Sequence, residues 1–170
     1  MGPNLIIFPL VALIPMVIGF IWYHPKVFGT AWMKETGMTE EKIQQGNMLK
    51  IFGFAYFFAL LVCVPLLGMA IHQLGIFQLF STDPGFGEEG AQATKDFATI
   101  MGIVGNKHMS FGHGVVHGII GGLFMALPII GTNALFEQRS WKYIWIHAGY
   151  WIVTFALMGG VLSQYGFKLG

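Results

Sequence analysis

Four long apolar stretches, Leu5–Tyr23, Ile51–Leu74, Val115–Phe136 and Ile144–Tyr165, fill about half of this 170-residue chain. They contain no Lys, Arg or Asp, and their only Asn, Asn133, lies near an end. At the rise of an α-helix each is long enough to cross a hydrocarbon core of ~30 Å. Charged residues are 10% of the chain and hydrophobic ones 55%. A soluble domain carries ~25% charged residues, so four such stretches in so short a chain argue against a soluble all-α protein. The first stretch lacks the basic flank and small-residue cleavage site of a secretory signal and reads as a retained helix. The fold class predicted is all-α: a single integral-membrane four-helix bundle with an amphipathic segment outside the membrane between helices two and three.

The lone cysteine, Cys63, lies in the second stretch, which excludes an internal disulfide and a Cys-rich zinc site. A net charge of +1 without a basic run gives no support for nucleic-acid binding. Lys26, Lys34, Lys42 and Lys50 follow the first stretch, and Arg139 and Lys142 precede the fourth; the opposite side holds Lys95, Lys107 and Lys168. This bias puts the two basic loops in the cytoplasm and both termini outside, across a bacterial inner membrane.

Pro9, Pro15, Pro65 and Pro128 interrupt the stretches, each removing one helical hydrogen bond. After His24-Pro25, residues Val27, Phe28, Ala31 and Trp32 predict a short interfacial helix ending at Gly37, and Thr39 is placed to cap the next. The outer loop, about 75–111, is irregular around Pro84–Gly90. Its Ala93, Phe97, Ile100, Met101 and Val104 then fall on one helical face, suited to the membrane surface, the bundle or a partner.

Depth sorts the histidines into two groups. His72, His108, His113 and His117 fall toward the outer side, and His24 and His147 toward the inner side. His113 and His117 are four residues apart and share a helical face. With His72 they are candidate ligands for Zn²⁺ or Cu²⁺, to which Glu88, Glu89 or Asp96 could add an oxygen. Haem held by His72 with His113 or His117 is a second possibility; pairing either with His147 is excluded by depth. The same residues also suit plain interhelical hydrogen bonding. Gly114, Gly118 and Gly122 form a strip for close helix packing, with Gly159-Gly160 as the opposing surface. His24, Asn133, Glu137 and His147 are candidates for a small polar pocket at the inner level, among interfacial Trp and Tyr residues.

Two blocks carry a resemblance. One is Gly19-Phe-Ile-Trp-Tyr-His-Pro-Lys-Val-Phe-Gly-Thr-Ala-Trp32, continuing to Gly46-Asn47. The other is Asn133-Ala-Leu-Phe-Glu137, Trp141-Lys142, Ala148-Gly149-Tyr150-Trp151 and Met158-Gly159. Together they resemble domain-of-unknown-function family 1761, small four-helix bacterial membrane proteins. The resemblance covers roughly the first 65 and last 60 residues and implies the topology. It implies no activity, cofactor or catalytic residue.

The sequence therefore predicts a non-catalytic accessory or structural membrane subunit with no obligatory cofactor. Its expected partners are the bilayer and either a larger membrane complex or a second copy. The alternatives are a metal- or haem-binding, redox-linked protein using the outer histidines, and a small-solute transporter or channel built on the proline hinges and Asn133. No ionisable residue lies mid-span, where transporters usually place one.

Overall fold

Two prolines split the first apolar stretch. The structure, a computed structural model, describes residues 2–168. In it Leu5–Tyr23 forms α1 (Ile7–Val11) and α2 (Ile14–Trp22), separated by a turn at Ala12-Leu13. Pro15 sits in the first turn of α2, where its missing N–H costs nothing. Together α1 and α2 rise only about 24 Å. The single first span predicted from the sequence is thus too short by itself. A π-helical turn, Pro25–Gly29, leads into α3 (Thr30–Thr36), bent by 56° from Ile7–Trp22. Gly37, at φ 70°, stops α3, and Thr39 caps α4 (Glu40–Gln44) by accepting from Lys42 N.

The second stretch also ends earlier than predicted. Asn47 Oδ1 accepts from Lys50 N at 3.0 Å and starts α5 (Met48–Ala70). Ile71 then takes an extended conformation, and its side chain is fully buried. Burying that β-branched side chain turns the chain, so His72 opens a new helix, α6 (His72–Phe80), instead of ending the span. The amphipathic α7 (Gln92–Val104) packs on α6 through Phe77, Phe80, Phe86 and Phe97, whose ring centres lie 5.3–6.3 Å apart. Of the surfaces open to α7, its own bundle takes this face.

Ser110 Oγ accepts from His113 N and starts α8 (Phe111–Gly121) four residues ahead of the predicted third span. A π-helical turn at Gly122–Ala126 joins α8 to α9 (Leu127–Phe136). The wider turn lies just before Pro128 and accommodates the bond that the proline cannot make. Ser140 caps α10 (Trp141–Tyr165). Three helices, Met48–Ala70, Phe111–Phe136 and Trp141–Tyr165, are long and apolar enough to cross a membrane; a fourth crossing requires the bent pair.

The chain ends meet in a two-residue antiparallel pairing, with β1 (Gly2–Pro3) against β2 (Phe167–Lys168). Above it, Val11, Cys63, Leu67, Ile71, Met158 and Leu162 form the buried core. The starts of α1 and α8 and the ends of α5 and α10 therefore share one end of the bundle. At the other end Trp22 Nε1 donates to Ile146 O at 3.0 Å, and Ser140 Oγ donates to Glu35.

The glycine strip faces α10. A Cβ on Gly114 would lie 2.0 Å from Gly159 O, one on Gly118 2.0 Å from Phe155 O, and one on Gly122 2.6 Å from Ile152 Cα. Gly159 returns the fit, with its own Cβ position 2.4 Å from Gly114 O. Backbone is thus packed on backbone along the whole of α8.

Candidate metal centre

The turn at Ile71 and the cap at Ser110 bring three imidazoles together. His72 is the first residue of α6, while His113 and His117 lie one turn apart on α8. Each contributes a ring nitrogen to a group whose members all lie within 4.8 Å of one another. His72 Nε2 and His113 Nε2 are 3.0 Å apart. The three ring centres lie 4.5–5.0 Å apart and every pair meets edge to face.

These distances fit a transition metal. Tetrahedral bonds of ~2.0–2.1 Å to zinc place neighbouring nitrogens about 3.3 Å apart. Closing the group requires shifts of an ångström or so, within the reach of side-chain rotation. Without a metal, one imidazole N–H donates to its neighbour's bare nitrogen; a metal would substitute for that proton. The site lies at the N-terminal ends of α6 and α8, whose dipoles oppose a cation by up to ~2 kcal/mol each. A structural zinc contributes ~10–16 kcal/mol, so coordination dominates. The same closeness argues against haem between His72 and His113. Axial nitrogens on opposite faces of a porphyrin stand two metal–nitrogen bonds apart, ~4 Å, with the macrocycle between them.

Among the described residues the group contains no carboxylate. Asp96, one of the three acids suggested as an oxygen donor, instead accepts from Gln92 Nε2 at 2.7 Å. The fourth outer histidine, His108, has its ring centre 5.0 Å from that of His113 and 6.3 Å from that of His72.

Gln73 emerges only from the structure. Its buried amide nitrogen lies 2.9, 3.1 and 2.9 Å from the carbonyls of Val104, Gly105 and Lys107. One side chain beside His72 thereby anchors the loop that leads to α8. In sequence it is a single amide in an apolar run, and its partners lie some thirty residues on. Gln73→Leu removes this donor from the Gly105 and Lys107 carbonyls, while the Val104 carbonyl keeps the Lys107 N–H at 2.9 Å, and is expected to cost about 1–3 kcal/mol. Faster amide exchange confined to residues 104–110 would register it; unchanged exchange there would contradict the anchoring role.

The structure does not gather the four residues predicted for the inner pocket. His24 is exposed and accepts from Lys26 N at 3.2 Å. Asn133 is exposed near the end of α9, and Glu137 is spent on an exposed ion pair with Arg139 at 3.2 Å. Only His147 turns inward. Its Nδ1 is 3.2 Å from Tyr23 Oη, and with Tyr23, Trp32 and Tyr150 it lines an apolar cavity of about 500 Å³. Tyr150 Oη donates to Pro15 O, in the first turn of α2, at 2.8 Å. Roughly 24 Å of helical rise separates His147 from Ser163, which touches the His108 carbonyl. The two histidine levels are thus far apart.

Fold and site together define a small all-helical protein with three helices of membrane-crossing length and a histidine knot at the end where its termini meet. The chain belongs to the family described as "Protein of unknown function (DUF1761)", which matches residues 8–163. That match runs through the outer loop and the histidine knot, beyond the two blocks in which the resemblance was first visible. No curated protein and no solved structure matches the chain.

Proposed function

We propose that this is a membrane protein that binds a divalent transition metal, Zn²⁺ or Cu²⁺, through His72, His113 and His117. The observation that carries this reading is the convergence of three ring nitrogens, from two helices, within 4.8 Å. Imidazole is a common ligand of both metals, and three neutral imidazoles leave the ion its full charge.

In the same reading Met48–Ala70, Phe111–Phe136 and Trp141–Tyr165 cross the bilayer, and the bent segment from Ile7 to Thr36 makes a fourth crossing. Lipid then covers the half-exposed apolar face of α5, including Phe54, Phe58, Leu61 and Val64. In this reading the end of the bundle that holds the metal lies on the outer side of a bacterial inner membrane, which the bias of Lys and Arg toward the two odd-numbered loops supports.

The accessory-subunit reading drew on the lack of a nucleophile–base constellation, on the lack of mid-span charge, and on two surfaces, the glycine strip and the face of α7. Packing within the chain takes up the strip and much of that face, which leaves the lipid-facing side of α5 as its contact surface. The metal reading therefore ranks first.

The test is metal analysis and zinc titration of protein extracted in mild detergent. Wild type is expected to take up one equivalent, and His113→Ala to lose it. A wild type that binds no zinc or copper, or a His113→Ala variant that binds as well as wild type, would overturn the proposal.

A further inference from the structure

We propose that His108 is the fourth ligand of this centre, an inference that rests on the metal reading above. His108 has φ 63°, in the left-handed region, which non-glycine residues enter uncommonly and histidine more often than most; Gln138 at φ 55° is the other such residue described. Such a conformation persists where the surroundings impose it, and it is found preferentially at functional positions. Here the surroundings are specific. Gln73 holds the carbonyls of Val104, Gly105 and Lys107 on one side, and Ser163 Oγ donates to the carbonyl of His108 itself at 3.3 Å on the other. Both anchors are buried, with Gln73 at 3% and Ser163 at 0% exposure. Two fixed points thus force an unfavourable backbone turn, and that turn delivers an imidazole to a knot of three others.

The distances suit four-fold coordination. In a tetrahedral four-imidazole site, bonds of ~2.0–2.1 Å put neighbouring ring centres about 5 Å apart. His108 already stands 5.0 Å from His113 and 6.3 Å from His72. The His108 ring must close on His72 and reach His117 as well, since only its distance to His113 already matches. The exposed His108 ring adjoins a cavity of about 230 Å³ lined also by His72, Gln73 and Lys107, which leaves it room to swing. A closed set of four protein ligands holds a metal structurally, whereas a catalytic zinc keeps a position for water. This chain would then retain a coordinatively saturated ion instead of activating water on it.

His108→Asn tests the idea, because asparagine tolerates the left-handed backbone but removes the imidazole. X-ray absorption of the zinc-loaded protein is expected to show four imidazole nitrogens in wild type. The variant should show the outer-shell ring scattering of three imidazoles instead of four, with one oxygen donor in the vacated position and a zinc affinity lower by at least ~10-fold, the loss typical even of an outer-shell partner. His108→Gly, which relieves the backbone entirely, should behave the same way, separating ligand loss from strain. If both variants keep the wild-type imidazole count and affinity while His113→Ala releases the metal, His108 is no ligand and the three-histidine site stands. If wild type itself takes up no metal, both proposals fall.

Discussion

Gly118→Ala is expected to lower the melting temperature by about 4–8 °C, the overpacking cost less the propensity gain, whereas Gly53→Ala leaves it unchanged or raises it. Both substitutions add one methyl to a helix and gain intrinsic helix propensity of about 1 kcal/mol. They differ in what the methyl meets. At Gly53 there is nothing within 4 Å. At Gly118 the new carbon would sit 2.0 Å from Phe155 O and 2.6 Å from Ala156 Cα. Those atoms are backbone of α10 and cannot rotate away, so the two helices must separate. Overpacking of this kind costs about 1–3 kcal/mol, and the upper value applies where backbone must move. For a chain of this size each kcal/mol corresponds to about 2–4 °C. A leucine at Gly118 would prevent α8 and α10 from docking at all. Thermal melts of the two alanine variants in one detergent decide the matter; equal melting temperatures would refute backbone-on-backbone packing along the strip.

The contrast also shows which features were readable from the residues alone. Gly114, Gly118 and Gly122 recur every fourth residue, and a strip of that kind can face only one neighbour, so close packing was legible. The opposing surface was legible too: Gly159-Gly160 in the fourth stretch was its candidate, and Gly159 does pack on Gly114, whereas Gly160 meets the Phe111 ring. The i, i+4 pair His113 and His117 was equally legible, since helical geometry alone puts them on one face. His72 joins them through the break at Ile71, a turn set by burial of a side chain in a core assembled from distant segments. The inner pocket failed for a related reason. Hydropathy gives a residue's level along the membrane normal but not its angle about the helix axis. His24, Asn133, Glu137 and His147 were assigned one level; the first three are exposed, and only His147 points among the aromatic rings. The first stretch is not one straight helix, and a fourth crossing requires its bent continuation through Pro25–Thr36. Its apolar run of nineteen residues was long enough, but the break at Ala12-Leu13 and the end at Trp22 shortened the helix.

Zinc is expected to act as a removable crosslink between α6 and α8. His72 and His113 are 41 residues apart in sequence, and a shared ion would hold both helices to the folded state. Any ligand that binds only the folded protein stabilises it by mass action, and at a hundredfold excess over its dissociation constant that amounts to ~2.7 kcal/mol. For a chain of this size the melting temperature should therefore rise by about 5–11 °C. His72→Ala removes one end of the crosslink and should abolish the rise. His147→Ala, at the other end of the bundle, should retain it in full even if its own melting temperature is lower, which separates the knot from adventitious binding to histidine. The effect has a definite sign with pH. Imidazole binds metal only when neutral, so protons compete with zinc. The increment should be greatest near pH 8 and diminish as the pH falls toward 5, because each imidazole that takes up a proton loses the lone pair the metal needs. Melts with and without zinc across that range, for wild type and the two alanine variants, provide the measurement. A zinc-dependent rise that survives in His72→Ala, or that persists undiminished at pH 5, would show that the ion binds elsewhere.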